Sequence, residues 1–266
     1  MKKIFYTLVV ILITTLLVAC APTEEDTPTP VTTYKLSQAS LFSEPNNSIV
    51  EYTGSGKTTS GGIVTTLTLT GSNQRSLMSI SGFEGKNTRT ETLSLVMKFS
   101  NGSTTTSNTT EAIEFDGDNE YLLTERDSDD LIYAIDSYAG KSGGKLEPYH
   151  YAVANNGGYI AYTIQACGAV VGSCPSPTTV ATKSYTFTMM GTENVNVGGA
   201  NYETYKIKET FNQVAYTSAF STYESTGTYW YHPKLGILKG EELATFDSGS
   251  IVELSYTAIS HNFGKP

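Results

Sequence analysis

Cysteine and histidine occur three times each, and tryptophan once, in this chain of 266 residues. So few cysteines exclude a small scaffold stapled by several disulfides. His150, His232 and His261 are scattered and form no pair at the spacing that puts two imidazoles on one helix face, which argues against a histidine metal centre. Bases are also scarce: 17 Lys and Arg stand against 26 Asp and Glu, a formal charge of −9. A surface of that sign repels nucleic acid and anionic headgroups, so no nucleic-acid partner is expected. Internal repeats are absent, and there is one long apolar run, Ile4 to Val18. It is shorter than the ~20 residues a spanning helix needs.

That run is framed as a leader. Lys2 and Lys3 give it a positive start, and Leu17-Val18-Ala19-Cys20 closes it with small residues before a cysteine, the layout of a secretory signal. These closing residues resemble the lipobox of bacterial lipoprotein precursors, and the resemblance covers this segment alone. It implies cleavage before Cys20, a diacylglycerol on the Cys20 thiol and a third acyl chain on the new amine. Several chains on one residue, at about 0.8 kcal/mol per buried methylene, hold a bilayer more firmly than one. Without residues 1–20, which carry two lysines and no acid, the charge becomes −11.

The expected organisation is a signal peptide at 1–19, a lipidated tether at 20–33 and a single β-rich domain at 34–266. The tether, Ala21 to Thr33, is rich in Pro, Thr and acid, and reads as extended and self-repelling. Ala21 is not the aspartate that resembles an inner-membrane retention signal, so the outer membrane is the expected address. With Cys20 acylated, Cys167 and Cys174 remain as a pair, expected to form a disulfide in an oxidising envelope. A metal pair or a redox dithiol would sit better at a two-residue gap.

From Tyr34 onward, short apolar or alternating runs are separated by Gly, Asn, Ser and Thr. Strands are expected at Ile49–Thr53, Gly62–Thr70, Ser76–Phe83 and Thr90–Phe99, where Leu93, Leu95, Met97 and Phe99 alternate. Shorter ones follow at Glu111–Phe115 and Tyr121–Thr124. Asp127 to Ala139 carries a capping acid and places Leu131, Ile132, Ile135 and Tyr138 on one helical side, which predicts the domain's one helix at about 128–139. A hairpin of Tyr149–Val153 and Tyr159–Ala166 is expected about Asn155-Asn156-Gly157-Gly158. Lys183–Met190, Tyr202–Phe211, Ser225–Tyr231, Ile237–Leu243 and Ile251–Ser260 complete the set. The fold class is therefore mainly β: a single antiparallel curled sheet or incomplete barrel packed on that helix.

Three stretches imitate catalytic or binding motifs. Thr53 to Thr59 (TGSGKTT) looks like a phosphate loop, but Glu51 stands where that loop needs glycine and no helix follows, so a hairpin turn is expected. Ser142 fits both G-x-S-x-G and S-x-x-K, yet a predicted helix precedes it and Gly143-Gly144 follows, a flexible loop rather than a nucleophile elbow. Asp116, Asp118 and Glu120 alternate as calcium ligands could, within an acidic stretch over 111–130 that also suits a solvated face.

Val195 to Tyr202 and, further on, Thr228-Tyr229-Trp230-Tyr231-His232-Pro233-Lys234-Leu235-Gly236-Ile237-Leu238-Lys239 resemble a C-terminal strand group of uncharacterised β-rich envelope lipoprotein domains. That resemblance implies an architecture and no activity. Read from its residues, the segment is a hairpin in which Trp230 anchors a core and His232 to Gly236 makes the bend.

The expectation for function is a membrane-anchored envelope lipoprotein with a structural or ligand-binding role, no cofactor and no enzymatic activity. Its partners would be the lipid bilayer, through acylated Cys20, and a lipid, peptide or glycan ligand. The alternative is a lipid or lipoprotein carrier with an apolar cavity lidded by the helix. A serine hydrolase using Ser142 is the third reading.

Overall fold

A computed structural model describes residues 48–77, 88–116, 119–126, 132–135, 145–146, 148–166, 178–217 and 220–262. The expected leader and tether, Cys20, Cys167, Cys174 and Ser142 lie outside these residues.

The described residues form thirteen strands in one sheet: β1 (Ser48–Ser60), β2 (Ile63–Leu77), β3 (Thr88–Phe99), β4 (Thr104–Asp116), β5 (Asn119–Arg126), β6 (Ile132–Ile135), β7 (Lys145–Leu146), β8 (Gly158–Ala166), β9 (Thr178–Val197), β10 (Ala200–Ala215), β11 (Tyr223–His232), β12 (Gly236–Phe246) and β13 (Ile251–His261). Every ladder is antiparallel, and the spatial order is β4-β3-β2-β1-β13-β12-β11-β10-β9-β8-β6-β5-β7. β4 also pairs with β5, so the sheet curls back on itself. The seam there is thin, because β6 meets β5 and β8 through only three residue pairs each. A mainly β, antiparallel, incomplete barrel, with one short helix among the described residues, is thus the fold that the alternating runs indicated.

The helix is not where its caps suggested. Ile132–Ile135, the centre of the expected helix at 128–139, pairs as β6 between β5 and β8. Ile, Tyr, Ala and Ile satisfy either period over four residues, and the unpaired edges of the neighbouring strands decide between them. The observed helix, α1 (Pro148–Asn155), occupies the run expected as the first strand of a hairpin. Pro148 suits the first helical position, where no backbone N–H is needed. At the other end Asn156 (φ 55°) and Gly157 (φ 94°) turn left-handed. Gly157 N–H donates to Ala152 C=O at 2.7 Å and Asn156 N–H to Val153 C=O at 3.4 Å, the paired bonds of a Schellman cap. Ala152 and Val153 then pack on Phe187, Met189, Ile207 and Tyr231 of the inner sheet face.

A second core centres on Trp230, which points to the opposite face, and reaches Val50 and Tyr52 of β1. The β9–β10 hairpin tip brings Val195, Val197 and Tyr202 over Trp230, Leu235, Leu238 and Ala258. Trp230 is 3% exposed, a packed anchor and not an open platform for a ligand. Lys206 and Lys239 sit over its ring at 5.0 and 3.9 Å, from positions paired with it across both neighbouring strands.

Thr53–Thr59 is not a turn: it is the middle of β1, and the turn follows at Gly61-Gly62. Its glycines answer to the inner face. Tyr229, Gly240, Tyr256 and Gly54 form one cross-strand row. A side chain on Gly240 would overlap the Tyr256 ring, and one on Gly54 would press the Tyr256 Cβ at 2.8 Å. Each tyrosine lies down because its neighbour has no side chain.

Gly240→Ala should therefore cost about 1 to 3 kcal/mol, the usual penalty of overpacking, measured by denaturant titration. In a Tyr256→Ala background the same change should cost clearly less; additive costs would show that the ring and the glycine do not share this space.

Candidate functional site

The inner face is only partly filled. Between β1–β3, β11–β13 and α1 remains a cavity of about 370 Å³, bounded by leucines, by tyrosines and by Arg75, Glu91, Glu111 and Glu242. Alternation along β2 puts Leu67, Leu69, Asn73 and Arg75 on the inner face, so the cavity's cation sits at the far end of an apolar series. Arg75 is 5% exposed. Its Nε lies 3.2 Å from Glu91 Oε1, and its Nη1 donates to the Lys234 carbonyl of the β11–β12 turn. Asn73 donates to the other Glu91 oxygen at 3.2 Å. Gly236, at φ 79°, leaves room for the guanidinium, whose Nη2 would stand 2.6 Å from any Cβ there. A buried pair with this many partners fixes the β2–β3 wall against the turn.

The turn itself needs a neutral histidine. His232 Nδ1 accepts from the backbone N–H groups of Lys234 and Leu235, both at 3.2 Å. Burial, then the nearby Lys234 and Arg75 charges, pull its pKa down to about 4.

Two further carboxyls face inward from β10 and β12. Glu209 pairs with Gly227, and Gly227 with Glu242, so the glutamates flank one glycine in a single row. A Cβ on Gly227 would meet the Tyr229 ring at 2.7 Å, so this glycine too makes room for an aromatic. Tyr149 descends from α1 over the same area. Its ring stacks on Tyr231 (5.8 Å, 18°) and meets Tyr229 edge-on (5.5 Å, 70°), while its hydroxyl is hydrogen-bonded to Glu209. Glu242 is hydrogen-bonded to Ser225 and Tyr229. Burial pushes the Glu209 pKa up to about 8 despite the Tyr149 bond, with the Glu242 charge adding to it. Burial raises Glu242 as well, and the hydroxyls of Tyr149, Tyr229 and Tyr256 are driven above the usual tyrosine range, first by burial and then by these carboxylates. At neutral pH Glu209 is therefore mostly a neutral carboxyl able both to donate and to accept.

Of the residues singled out in the sequence, Trp230 belongs to the opposite face and Glu111 to the cavity wall. The side chains of Asp116, Asp118 and Glu120 lie outside the described part, and among the described residues no group of three metal-ligating side chains forms. Arg75, Tyr149, Glu209 and Glu242 went unremarked. Glu209 did leave a signal: it interrupts the apolar period Tyr205, Ile207, Phe211 on one strand face.

No model of a known protein family matches the chain, and no curated protein matches it. Among solved structures it is similar to the hypothetical lipoprotein YmcC from Escherichia coli K12, at 14% identity, with 79% of this chain and 86% of that one covered and a TM-score of 0.33. It is also similar to a protein described as exported, with a YmcC-like fold, from Bacteroides fragilis (14% identity, 82% and 96% covered, TM-score 0.40). A protein described as a lipoprotein from Parabacteroides distasonis is similar at 9% identity, with 82% and 96% covered and a TM-score of 0.37.

The raised carboxyls set a pH dependence. Glu209 holds its proton up to about pH 8 when folded and loses it near 4.5 when unfolded, so its contribution to stability falls as pH rises through that interval and is flat above it. His232, lowered from 6.5 to about 4, acts in the opposite direction, and only below pH 6.5. The melting temperature should decline between about pH 6.5 and 8, and Glu209→Gln should flatten the decline, at most about 1.4 kcal/mol per pH unit for one group. An unchanged slope in that variant would show that Glu209 ionises normally.

Proposed function

We propose that the protein is a lipid-anchored lipoprotein of the bacterial cell envelope, without enzymatic activity of its own, whose curled sheet holds a small ligand in the cavity beneath α1. The cavity is the observation that carries this reading. Its volume of about 370 Å³ falls within the range of small-molecule sites, roughly 300 to 1,000 Å³, in which a mostly apolar wall carries a few placed polar groups. Leu69, Leu95, Ile113, Ile237 and Leu254 supply the wall; Arg75, Glu91 and Glu242 supply the placed groups. Buried charge of this density suits a ligand with a polar end better than the bare acyl chain of a lipid carrier.

The anchor rests on sequence. Lys2, Lys3, the apolar run and Leu17-Val18-Ala19-Cys20 support export and acylation of Cys20, and Ala21 in place of an aspartate supports the outer membrane as the address. Ala21 to Thr33 would then hold the domain clear of the headgroups, with a disulfide between Cys167 and Cys174 as a further expectation of the oxidising address.

Cys20→Ser should move the protein from the membrane pellet to the soluble fraction; a variant that stays pelleted at high salt would defeat the acyl anchor. For the cavity, native mass spectrometry of full-length protein taken from membranes should show a retained small molecule. Leu95→Trp, which fills the space, should lose that adduct while keeping the β-sheet circular dichroism signal. A wild-type protein that carries no adduct, or a filled variant that keeps one, would count against a ligand in this cavity.

A further inference from the structure

We infer that the cavity takes an uncharged alcohol on an apolar stem, its hydroxyl placed between the Tyr256 hydroxyl and the Glu242 carboxyl. The inference rests on the ligand-binding reading above and names the chemical class of the ligand.

Both residues line the cavity, and both are only half-buried. Their placement follows from register. Tyr256 on β13 pairs with Gly240 on β12, and a Cβ on Gly240 would stand 2.6 Å from the Tyr256 Oη, so the phenol head lies over that glycine. Glu242 is the next residue of β12 on the same face. The hydroxyl and the carboxyl therefore start from neighbouring inward positions, about 6.7 Å apart along the strand. One oxygen hydrogen-bonded to both, at about 2.8 Å each, spans most of that gap, and the reach of the Glu242 side chain covers the rest.

The Tyr256 hydroxyl makes no hydrogen bond within the protein, and it is not among the polar atoms closed to water. Asn73 Oδ1 and Glu209 Oε2 also lack partners, but both are closed off and cannot meet a ligand. Arg75 and Glu91 are taken up by each other, by Asn73 and by the Lys234 carbonyl. Glu242 has capacity left, since Ser225 and Tyr229 occupy only part of the roughly four acceptor sites of a carboxylate.

The phenol O–H lacks an acceptor and the carboxylate can take a further donor. A hydroxyl supplies both, accepting from Tyr256 and donating to Glu242, and where Glu242 is protonated it accepts from that O–H instead. An ammonium only donates and would leave the Tyr256 O–H as it is. A carboxylate only accepts, and it would enter a wall that sets Glu91, Glu111 and Glu242 against the single guanidinium of Arg75, in a medium that screens like charges poorly. The stem has its place too. Leu254 pairs with Glu242 across the ladder, so apolar surface begins beside the polar pair and continues to Leu69 and Leu95, where each methylene buried adds to binding.

The test is calorimetric titration of the full-length protein with hexanol, hexylammonium and hexanoate, which share a stem and differ in the head. Hexanol should bind tightest. Tyr256→Phe, which keeps the ring over Gly240 and removes the O–H, should weaken hexanol roughly three- to tenfold, the range of one neutral hydrogen bond. Leu95→Trp should abolish hexanol binding, and both variants should keep the β-sheet circular dichroism signal. If hexylammonium or hexanoate binds as tightly as hexanol, if folded Tyr256→Phe binds hexanol like the wild type, or if Leu95→Trp still binds it, the alcohol assignment is overturned. It falls equally if none of the three compounds binds. In each case the adduct measured by native mass spectrometry decides separately whether the cavity holds a ligand at all.

Discussion

The tyrosines of the inner face can lie flat only because glycines stand beside them. In a sheet that curls this far, side chains on the concave face converge, and a full row of large residues would collide. The chain resolves the crowding by alternation: Tyr229, Gly240, Tyr256 and Gly54 follow one another across four strands. Glycine weakens a strand in isolation, but each one here lets an aromatic ring cover its backbone, and a buried ring contributes more than the glycine costs. The same arrangement recurs one row along, where Gly227 separates Glu209 from Glu242. Rings that lie down fill height sparingly, so space remains beneath α1. The cavity is thus a product of the packing rule that stabilises the curl.

The fold class was legible because it rests on a short-range signal. The period of two in Leu93, Leu95, Met97 and Phe99 persists through β3, and the turns at Gly198-Gly199 and at His232 to Gly236 carry the residues such bends require. The helix was misplaced for a reason of the same kind. Residues 132–135 offered too few positions to separate the two periods, and the unpaired edges of β5 and β8 settled what local preference could not. Tyr149, Tyr151 and Val153 recur at every second position as on a strand, so Pro148 and the Asn155-Asn156-Gly157 cap were the clues to α1.

The candidate site was far less legible. Glu209 and Glu242 lie far apart in the sequence, and only the pairing register of three strands sets them on either side of Gly227. Register is a property of the assembled sheet, fixed by which face each strand buries. Arg75 likewise has an unremarkable local sequence, and its role depends on Glu91 across one ladder and on the carbonyl of Lys234 across the curl.

β11 shows how firmly the arrangement is held. Its inward residues are Ser225, Gly227, Tyr229 and Tyr231, the last of which lines the cavity, while Trp230 points the other way into the core beneath the β9–β10 tip. A slip of one residue would bring the indole into the cavity and leave the outer core hollow, with Lys206 and Lys239 facing no ring. Both faces therefore specify the same register, and neither can be repacked without the other. The bulge between Trp230 and Tyr231 lies at the point where the two demands meet: on β12 it sends both Leu238 and Lys239 to the outer side and returns Ile237 to the inner one. An irregularity of this kind bends the strand locally, and here it allows one strand to close the outer core and still present Tyr231 to α1.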